Sequence, residues 1–209
     1  MMKVNTNRLN KIRYTLYAPI YDWAAKILES SREKAIRQLA VKATDKVLIV
    51  GAGTGMDLNY LPKGCTITAT DITPAMVHQI TIRNKSLGHR LNAMVMDGQQ
   101  LALPDESFDV VILHLILAVI PDPVKTIKEA ERVLKRGGKI SVFDKFVPAN
   151  REPSLQRKFF NLFTNFFFSN ITRSFEKIVA HTRLKVVSDQ PADLGGLFRI
   201  ILLRKDTRC

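Results

Sequence analysis

The stretch that most constrains the fold is a hydrophobic run that ends in a glycine-rich turn, "VLIVGAGTGMDLNYLP" at residues 47–62. Gly51, Gly53 and Gly55 follow the run at G-x-G-x-G spacing, and a helix-like pattern comes next. Glycines there let the backbone turn tightly and approach a ligand without an intervening side chain. The amides that open the following helix then face an anionic group. The stretch predicts a strand, a bare turn and a helix that bind a ligand; a tight connection without a ligand is the alternative.

Apolar β-branched runs alternate with helical patterns along the rest of the chain. This alternation predicts an α/β fold with a seven-stranded, mostly parallel sheet and helices on both faces. The last two strands are separated by "PADLGG", which is too short for a parallel crossover, so they should form an antiparallel hairpin at one edge. Strands are predicted at 46–51, 66–71, 91–97, 108–114, 138–146, 184–190 and 197–204, and helices near 56–61, 74–86, 122–135 and 153–181.

The length of 209 residues fits one domain with a small appendage. Residues 1–45 are predicted to form an N-terminal helical cap, in which Pro19 divides an amphipathic run into two short helices. Residues 46–209 form the ligand-binding domain, and a phenylalanine-rich helical insert is predicted at 150–182 within it.

The net charge of +13 is the unusual bulk property. It favours a polyanionic partner or an anionic membrane surface. A role in solubility alone explains the charge equally well. Neither the two cysteines nor the four histidines have metal-ligand spacing, so no metal is expected. No segment reaches the roughly 18 apolar residues of a membrane span. These features predict a cytoplasmic protein, with peripheral binding at the inner membrane surface as an open alternative.

Two aspartates at strand ends narrow the choice of ligand. Asp71 ends the second predicted strand, where a carboxylate can accept hydrogen bonds from both hydroxyls of a ribose. Asp97 ends the third strand and can accept from an adenine amine. The third glycine of the dinucleotide fingerprint G-x-G-x-x-G is missing. S-adenosylmethionine is therefore favoured over NAD.

The chain resembles class I S-adenosylmethionine-dependent methyltransferases that act on small molecules, quinones and lipids. The resemblance runs from about residue 14 to 204 and is carried by "VLIVGAGTG", "TATDITPAMV", "MDGQQLALPDESFDVVI", "LHLILAVIPDP" and "EAERVLKRGGKISVFDKF". It implies a Rossmann-like sheet in the order 3-2-1-4-5-7-6 with the last strand antiparallel. Such proteins often carry Asp or Glu two residues before the first glycine, where this chain has Ile49.

The resemblance also implies roles for individual residues around S-adenosylmethionine. Asp71 would hold the ribose, with Ile72 and Met76 packing the adenine. Asp97 and Gly98 would read the adenine edge. The residues expected at the methionine end are Gly51, Ala52, Gly53 and Gly55, and those expected at the reacting centre are His114 and Leu115.

Three residues are candidates for catalysis. Methyl transfer is an in-line displacement, to which an enzyme contributes mainly alignment and exclusion of water. His114 is a candidate general base, and an interior histidine held by a ring hydrogen bond is the alternative. "YAPIYD", with Tyr17 and Tyr21, resembles the opening of bacterial phosphatidylethanolamine N-methyltransferases and of ubiquinone/menaquinone-biosynthesis C-methyltransferases, whose tyrosines close over the cofactor. An aromatic wall also favours a cationic methylated amine, whereas helix packing is the plainer explanation of these tyrosines.

The preferred acceptor is a phospholipid headgroup amine of the phosphatidylethanolamine type. A basic amphipathic N-terminus and the aromatic insert suit an enzyme that docks on anionic lipid. Core packing of the insert is the alternative reading of its phenylalanines. A soluble small molecule or quinone precursor is the second candidate acceptor. A basic nucleic-acid-binding protein is ranked well below, because the basic residues are scattered and no base-stacking module is visible.

Overall fold

The computed structural model describes residues 28–146, 173–192 and 198–207. The two short helices predicted in the first 27 residues, together with Tyr17 and Tyr21, lie outside the described residues. So does most of the predicted insert, of which residues 173–182 are described. The division into residues 1–45 and 46–209 therefore stays a prediction.

The described chain forms one seven-stranded sheet in the order β3-β2-β1-β4-β5-β7-β6. β7 runs antiparallel to both of its neighbours, while the pairs among β1 to β5 are parallel. The predicted sheet order and the terminal hairpin are confirmed. The strands are β1 (Lys46–Val50), β2 (Thr66–Asp71), β3 (Arg90–Val95), β4 (Phe108–His114), β5 (Leu134–Lys145), β6 (Lys185–Pro191) and β7 (Phe198–Arg204).

The helices cover both faces of the sheet, as predicted. They are α1 (Glu29–Leu39), α2 (Pro74–Leu87), α3 (Pro123–Val133) and α4 (Phe175–Val179), with a 3-10 helix at Met56–Tyr60. Pro74 begins α2 and Gly88 ends it with a left-handed φ of 68°, which are the residues that favour a helix start and a helix stop. The Asp122 side chain caps α3 by accepting a hydrogen bond from the Lys125 backbone N–H at 3.0 Å.

Two predicted boundaries were wrong. The helix predicted to reach residue 135 ends at Val133, and β5 begins at Leu134 instead of residue 138. Leu134 pairs with Phe108, and the register then shifts before Val110 pairs with Lys139. Gly137, with a φ of +75°, lies within this irregular stretch, so the glycine pair interrupts the strand instead of preceding it. The stretch at 56–61 is a 3-10 turn and not a full α-helix.

The core is divided by the sheet into two layers. β1 shows why: Leu48 and Val50 pack with α3 and α4, whereas Val47 and Ile49 pack with α1 and α2. All four side chains are essentially inaccessible to solvent. A strand that is buried on both faces needs an unbroken apolar run, which is what "VLIV" provides.

α1 runs antiparallel to β5. Near its carboxyl end, Lys139 Nζ of β5 donates to the Leu39 carbonyl at 2.9 Å. At the amino end of α1, Leu28 lies in an apolar cluster with Phe143 and Phe198. The described chain therefore starts at the carboxyl edge of the parallel strands, on the face that carries α1.

Replacing Ile201 by alanine should test how far the antiparallel strand β7 contributes to stability. Ile201 is fully buried in the middle of β7, so Ile201→Ala should lower the free energy of unfolding by about 2–5 kcal/mol. Val187→Ala on the neighbouring strand β6, where the side chain is 56% exposed, should change it by less than about 0.5 kcal/mol. Urea denaturation of the two variants measures both, and equal losses would contradict the packing described for β7.

Candidate functional site

A cleft opens at the carboxyl edge of the sheet, between the loops that follow β1, β2, β3 and β4. Ligands of open α/β sheets bind at this edge. Counting the part open to solvent, the empty space of the cleft is about 600 Å³. Its walls are formed by Gly51, Gly53, Asp71, Ile72, Met76, Met96, Asp97, Gly98, Leu115, Ile116, Val119, Ile120 and Pro121.

The glycine turn after β1 forms one wall of the cleft. Gly51 has a φ of +66°, and a Cβ atom added there would lie 2.0 Å from Ile116 Cδ1. A side chain at this position is therefore disfavoured by the left-handed backbone, and it would require the Ile116 side chain to move. At Gly98, on the loop after β3, the constraint is lack of space, because an added Cβ would lie 2.7 Å from Val50 Cγ1.

Asp71 ties this turn to the end of β2. One carboxylate oxygen accepts a hydrogen bond from the Gly53 backbone N–H, and the other accepts from the Thr73 N–H, both at 2.9 Å. The side chain is buried, and burial raises the pKa of this carboxyl although the two N–H groups act in the opposite direction. Each carboxylate oxygen retains acceptor capacity for a further donor in the cleft.

Asp97 is oriented by the residue two positions further along the chain. Its Oδ1 accepts from the Gln99 backbone N–H at 2.9 Å and from the Gln99 side-chain amide at 3.0 Å. Gln99 Oε1 in turn accepts from the Asp122 backbone N–H at 3.0 Å, which connects the loop after β3 with the start of α3. The carboxylate is thus held in a defined orientation at the cleft.

The structure brings most of the predicted cofactor residues to the cleft, but not Ala52, Gly55 and His114. His114 is interior, and both of its ring nitrogens are engaged: Nδ1 with Asp57 Oδ1 at 2.8 Å and Nε2 with Ser141 Oγ at 2.9 Å. The next residue, Leu115, does line the cleft. Its φ of +59° is unusual for a residue with a side chain, and its N–H donates to the Phe143 carbonyl at 2.7 Å.

Several residues of the site were missed from the sequence. The far wall consists of residues from "LILAVIPDP", and their position directly after β4 was the available signal. The contact of Asp57 with Arg32 and His114 had no sequence signal, because the three residues are far apart in the chain. Ile49, at the position where an acid was expected, is fully buried among apolar neighbours.

Two features of the described ranges bear on metals and membranes. In residues 28–146, 173–192 and 198–207, no three His, Cys, Asp or Glu side chains come together in a way that could hold a metal ion. None of the helices in those ranges has the length and apolar character that crossing a bilayer requires.

Comparison with known proteins identifies this architecture. Residues 48–142 match the model of a family described as a methyltransferase domain. The chain is 27% identical over 189 residues to a phosphatidylethanolamine N-methyltransferase of Cereibacter sphaeroides, which covers 89% of this chain and 93% of the relative. It is 28% identical over 200 residues to a demethylmenaquinone methyltransferase of Lactobacillus johnsonii, which covers 85% of this chain and 81% of the relative.

A solved structure agrees with the fold. A S-adenosylmethionine-dependent methyltransferase from Aquifex aeolicus superposes with a TM-score of 0.64 at 19% identity, covering 84% of this chain and 90% of the other. The family match and the two relatives agree with the S-adenosylmethionine-dependent methyltransferase that the sequence predicts, and the solved structure supports its fold.

Gly51→Ala should weaken binding of the demethylated cofactor S-adenosylhomocysteine, because the new methyl group displaces Ile116 into the cleft. The left-handed backbone should cost about 1–2 kcal/mol of stability in addition. Gly88→Ala is the matched control: its φ is +68°, but the nearest atom to the added Cβ is Lys63 Nζ at 3.9 Å. Calorimetric titration together with thermal unfolding separates the two effects. Normal binding by a folded Gly51→Ala protein would contradict the assignment of this wall.

Proposed function

We propose that this methyltransferase transfers a methyl group to a phospholipid headgroup amine of the phosphatidylethanolamine type. The observation that carries the proposal is the relative from Cereibacter sphaeroides, whose alignment spans nearly the whole of both chains. Similarity beyond the cofactor domain matters here, because the same fold serves many acceptors.

The proposed cofactor contacts follow from the cleft. The bare Gly51–Gly53 backbone would accommodate the methionine end, and the buried Asp71 carboxylate would accept from the ribose hydroxyls. Ile72 and Met76 would pack against the adenine, which Asp97 and Gly98 would recognise along its edge. When bound, S-adenosylmethionine supplies an electrophilic methyl group on a sulfonium.

An amine acceptor fits the kinds of residue that line the cleft. A neutral amine attacks with its own lone pair, so the carbon–sulfur bond breaks as the carbon–nitrogen bond forms, and the ammonium product then loses a proton to solvent. Of the described residues lining the cleft, only Asp71 and Asp97 have ionisable side chains. Alignment and exclusion of water are then the main contributions of the protein. His114, enclosed by Asp57 and Ser141, is proposed to act through its neighbours and not as a base.

The acceptor is proposed to approach beside Leu115. This side chain lines the cleft and also packs against the apolar cluster that contains Leu28, Phe143 and Phe198. Tyr21 precedes Leu28 by seven residues, and an extended chain of that length reaches roughly 23 Å. We therefore propose that Tyr17 and Tyr21 close over the acceptor, where their rings would favour a cationic product.

Peripheral membrane binding is proposed as the way in which the enzyme reaches a lipid. Lys3, Arg8, Lys11, Arg13 and Lys26 accompany an amphipathic apolar pattern near the start of the chain. Basic residues contribute roughly 1 kcal/mol each near an anionic surface, and apolar residues on the same segment add burial in the interface.

A quinone precursor is the second candidate acceptor, favoured by the relative from Lactobacillus johnsonii. Its acceptor atom would be a ring carbon and not an amine nitrogen. A carbon acceptor must lose a ring proton after methyl transfer. This reaction would therefore need a base in the protein, whereas methylation of a neutral amine would not.

Vesicles of defined composition should decide between the two acceptors. With radiolabelled S-adenosylmethionine, label should enter phosphatidylethanolamine as mono- or dimethylated lipid, and a demethylated quinone should accept none. Vesicles of phosphatidylcholine and phosphatidylglycerol provide the blank. Label in the quinone alone would replace the first proposal by the second.

The membrane part of the proposal has its own control. Arg8, Lys11 and Arg13 replaced together by Glu should abolish sedimentation with anionic vesicles and methylation of bilayer lipid, while S-adenosylhomocysteine binding is retained. Sedimentation of the triple variant equal to that of the wild type would exclude docking through this segment. A shift of nucleic acid by the wild type that weakens steeply with salt would instead favour a nucleic-acid partner for the positive charge.

Asp71→Asn should weaken S-adenosylhomocysteine binding by about 1.5–3 kcal/mol, because a charged acceptor is lost from two hydroxyls. Wild-type affinity should fall as the pH drops through the pKa of Asp71, since only the ionised form accepts from both. Burial raises that pKa, so the fall should begin at a higher pH than for an exposed aspartate. Titrations across acid pH should show the fall in the wild type and in the surface control Glu33→Gln. A pH dependence unchanged in Asp71→Asn would assign it to another group.

A further inference from the structure

A buried polar cluster lies under the cleft, between the sheet and α1. Asp57 Oδ1 accepts a hydrogen bond from Arg32 Nη1 at 2.7 Å and another from His114 Nδ1 at 2.8 Å. The side chains of Arg32, Asp57 and His114 are 5%, 3% and 0% exposed. Charged groups are rarely buried to this degree without a function or a structural requirement that keeps them there.

The Asp57 carboxylate is held ionised by its neighbours. Burial alone would raise the pKa of Asp57, but the charge of Arg32 and the contact with His114 hold it well below its usual range. An ionised carboxylate can only accept, so His114 donates from Nδ1. The other ring nitrogen, Nε2, lies 2.9 Å from Ser141 Oγ. Asp57 and Arg32 form a buried ion pair of opposite charges.

Asp57, His114 and Ser141 have the contacts of an acid–histidine–serine triad, but the arrangement cannot act as a nucleophilic centre. Ser141 is 1% exposed and its hydroxyl lies 3.5 Å from the Ala35 carbonyl, directly beneath α1. A triad needs its hydroxyl at a surface that a substrate can reach. Any effect of the cluster on the site is therefore transmitted through the segments of the chain that it connects.

It connects the two walls of the cofactor cleft. Asp57 lies two residues after Gly55, on the 3-10 helix that directly follows the glycine turn. His114 is the last residue of β4 and directly precedes Leu115, where the opposite wall begins. Arg32 lies on α1, which starts beside the apolar cluster near Leu115. A single carboxylate oxygen thus joins three segments that meet at the site.

We propose that Arg32, Asp57 and His114 are positioning residues that fix the separation of the glycine turn from the wall that begins at Leu115, and so set the affinity for the cofactor. The proposal rests on the membership of the chain in the methyltransferases and is independent of the acceptor. Side chains that hold a site within a fraction of an ångström act in this way through hydrogen bonds, without contacting the ligand.

The experiment separates positioning from stability by comparing two kinds of variant. Arg32→Met and Asp57→Asn each leave one buried charge without its partner, which should lower thermal stability as well as affinity. In the combined variant Arg32→Met, Asp57→Leu, His114→Leu the whole cluster is apolar, so no buried charge remains and the fold should be retained. Arg37→Met is the matched control, because it removes an exposed ion pair with Glu33 from the same helix.

S-adenosylhomocysteine affinity is measured by calorimetry at a temperature where circular dichroism shows each protein to be folded. Arg32→Met and the combined variant should bind about ten-fold more weakly than the wild type or worse, a change of about 1.4 kcal/mol. Arg32→Lys, which keeps the charge, should recover part of this loss. Arg37→Met should bind within two-fold of the wild type.

The combined variant decides the outcome. Weak binding by a protein whose melting temperature is close to that of the wild type supports positioning, because a purely structural role would leave the affinity of the folded protein unchanged. Affinity within two-fold of the wild type in a folded combined variant would overturn the proposal. If that variant does not fold, folded Arg32→Met decides by the same criterion.

Discussion

The close approach of the Gly51 backbone to Ile116 is the constraint on which the site depends. β1 and β4 are neighbours in a parallel sheet, so the loops that leave their carboxyl ends must pass each other at the same edge. They pass so closely that a side chain at Gly51 would meet Ile116 on the other loop. The exposed backbone at this crossing is what makes the edge of the sheet a ligand site. Asp71 then secures the turn from the β2 side, through the Gly53 N–H.

Much of the fold could be predicted because local pattern and topology agree. Alternating strands and helices require a parallel sheet, and the short connection before the last strand requires an antiparallel hairpin. The full strand order came from the resemblance to methyltransferases and not from the residues themselves. The start of β5 could not be predicted, because "VLKRGGKI" has the glycines of a break, whereas pairing of Leu134 with Phe108 extends the strand through them.

The site divides into a predictable part and an unpredictable part for a physical reason. Residues such as Asp71 and Asp97 end predicted strands, so their common position at one edge follows from the sheet. Arg32, Asp57, His114 and Ser141 come from α1, the 3-10 helix, β4 and β5, which are far apart in the chain. Nothing in their spacing indicates that they meet. His114 was expected at the reacting centre because it ends β4, but its ring lies beneath α1, where Asp57 and Ser141 engage both nitrogens. Leu115, the next residue, has left the strand with a left-handed φ and lines the cleft.

Selection of the acceptor, as proposed above, is separate from binding of the cofactor. Methyl transfer demands alignment more than acid–base chemistry, so one sheet edge can serve acceptors of different kinds. The proposed cofactor walls are the glycine turn and the segment after β4. The proposed acceptor side lies beside Leu115, close to the first turn of α1, where the Arg32 backbone N–H donates to the Leu28 carbonyl at 3.0 Å. Arg32 of α1 forms an ion pair with Asp57, which follows the glycine turn. The residues before Leu28 therefore join a helix that is bound to the segment after that turn. On the proposed approach of the acceptor beside Leu115, substitutions before Leu28 would change acceptor preference and leave the glycine turn as it is.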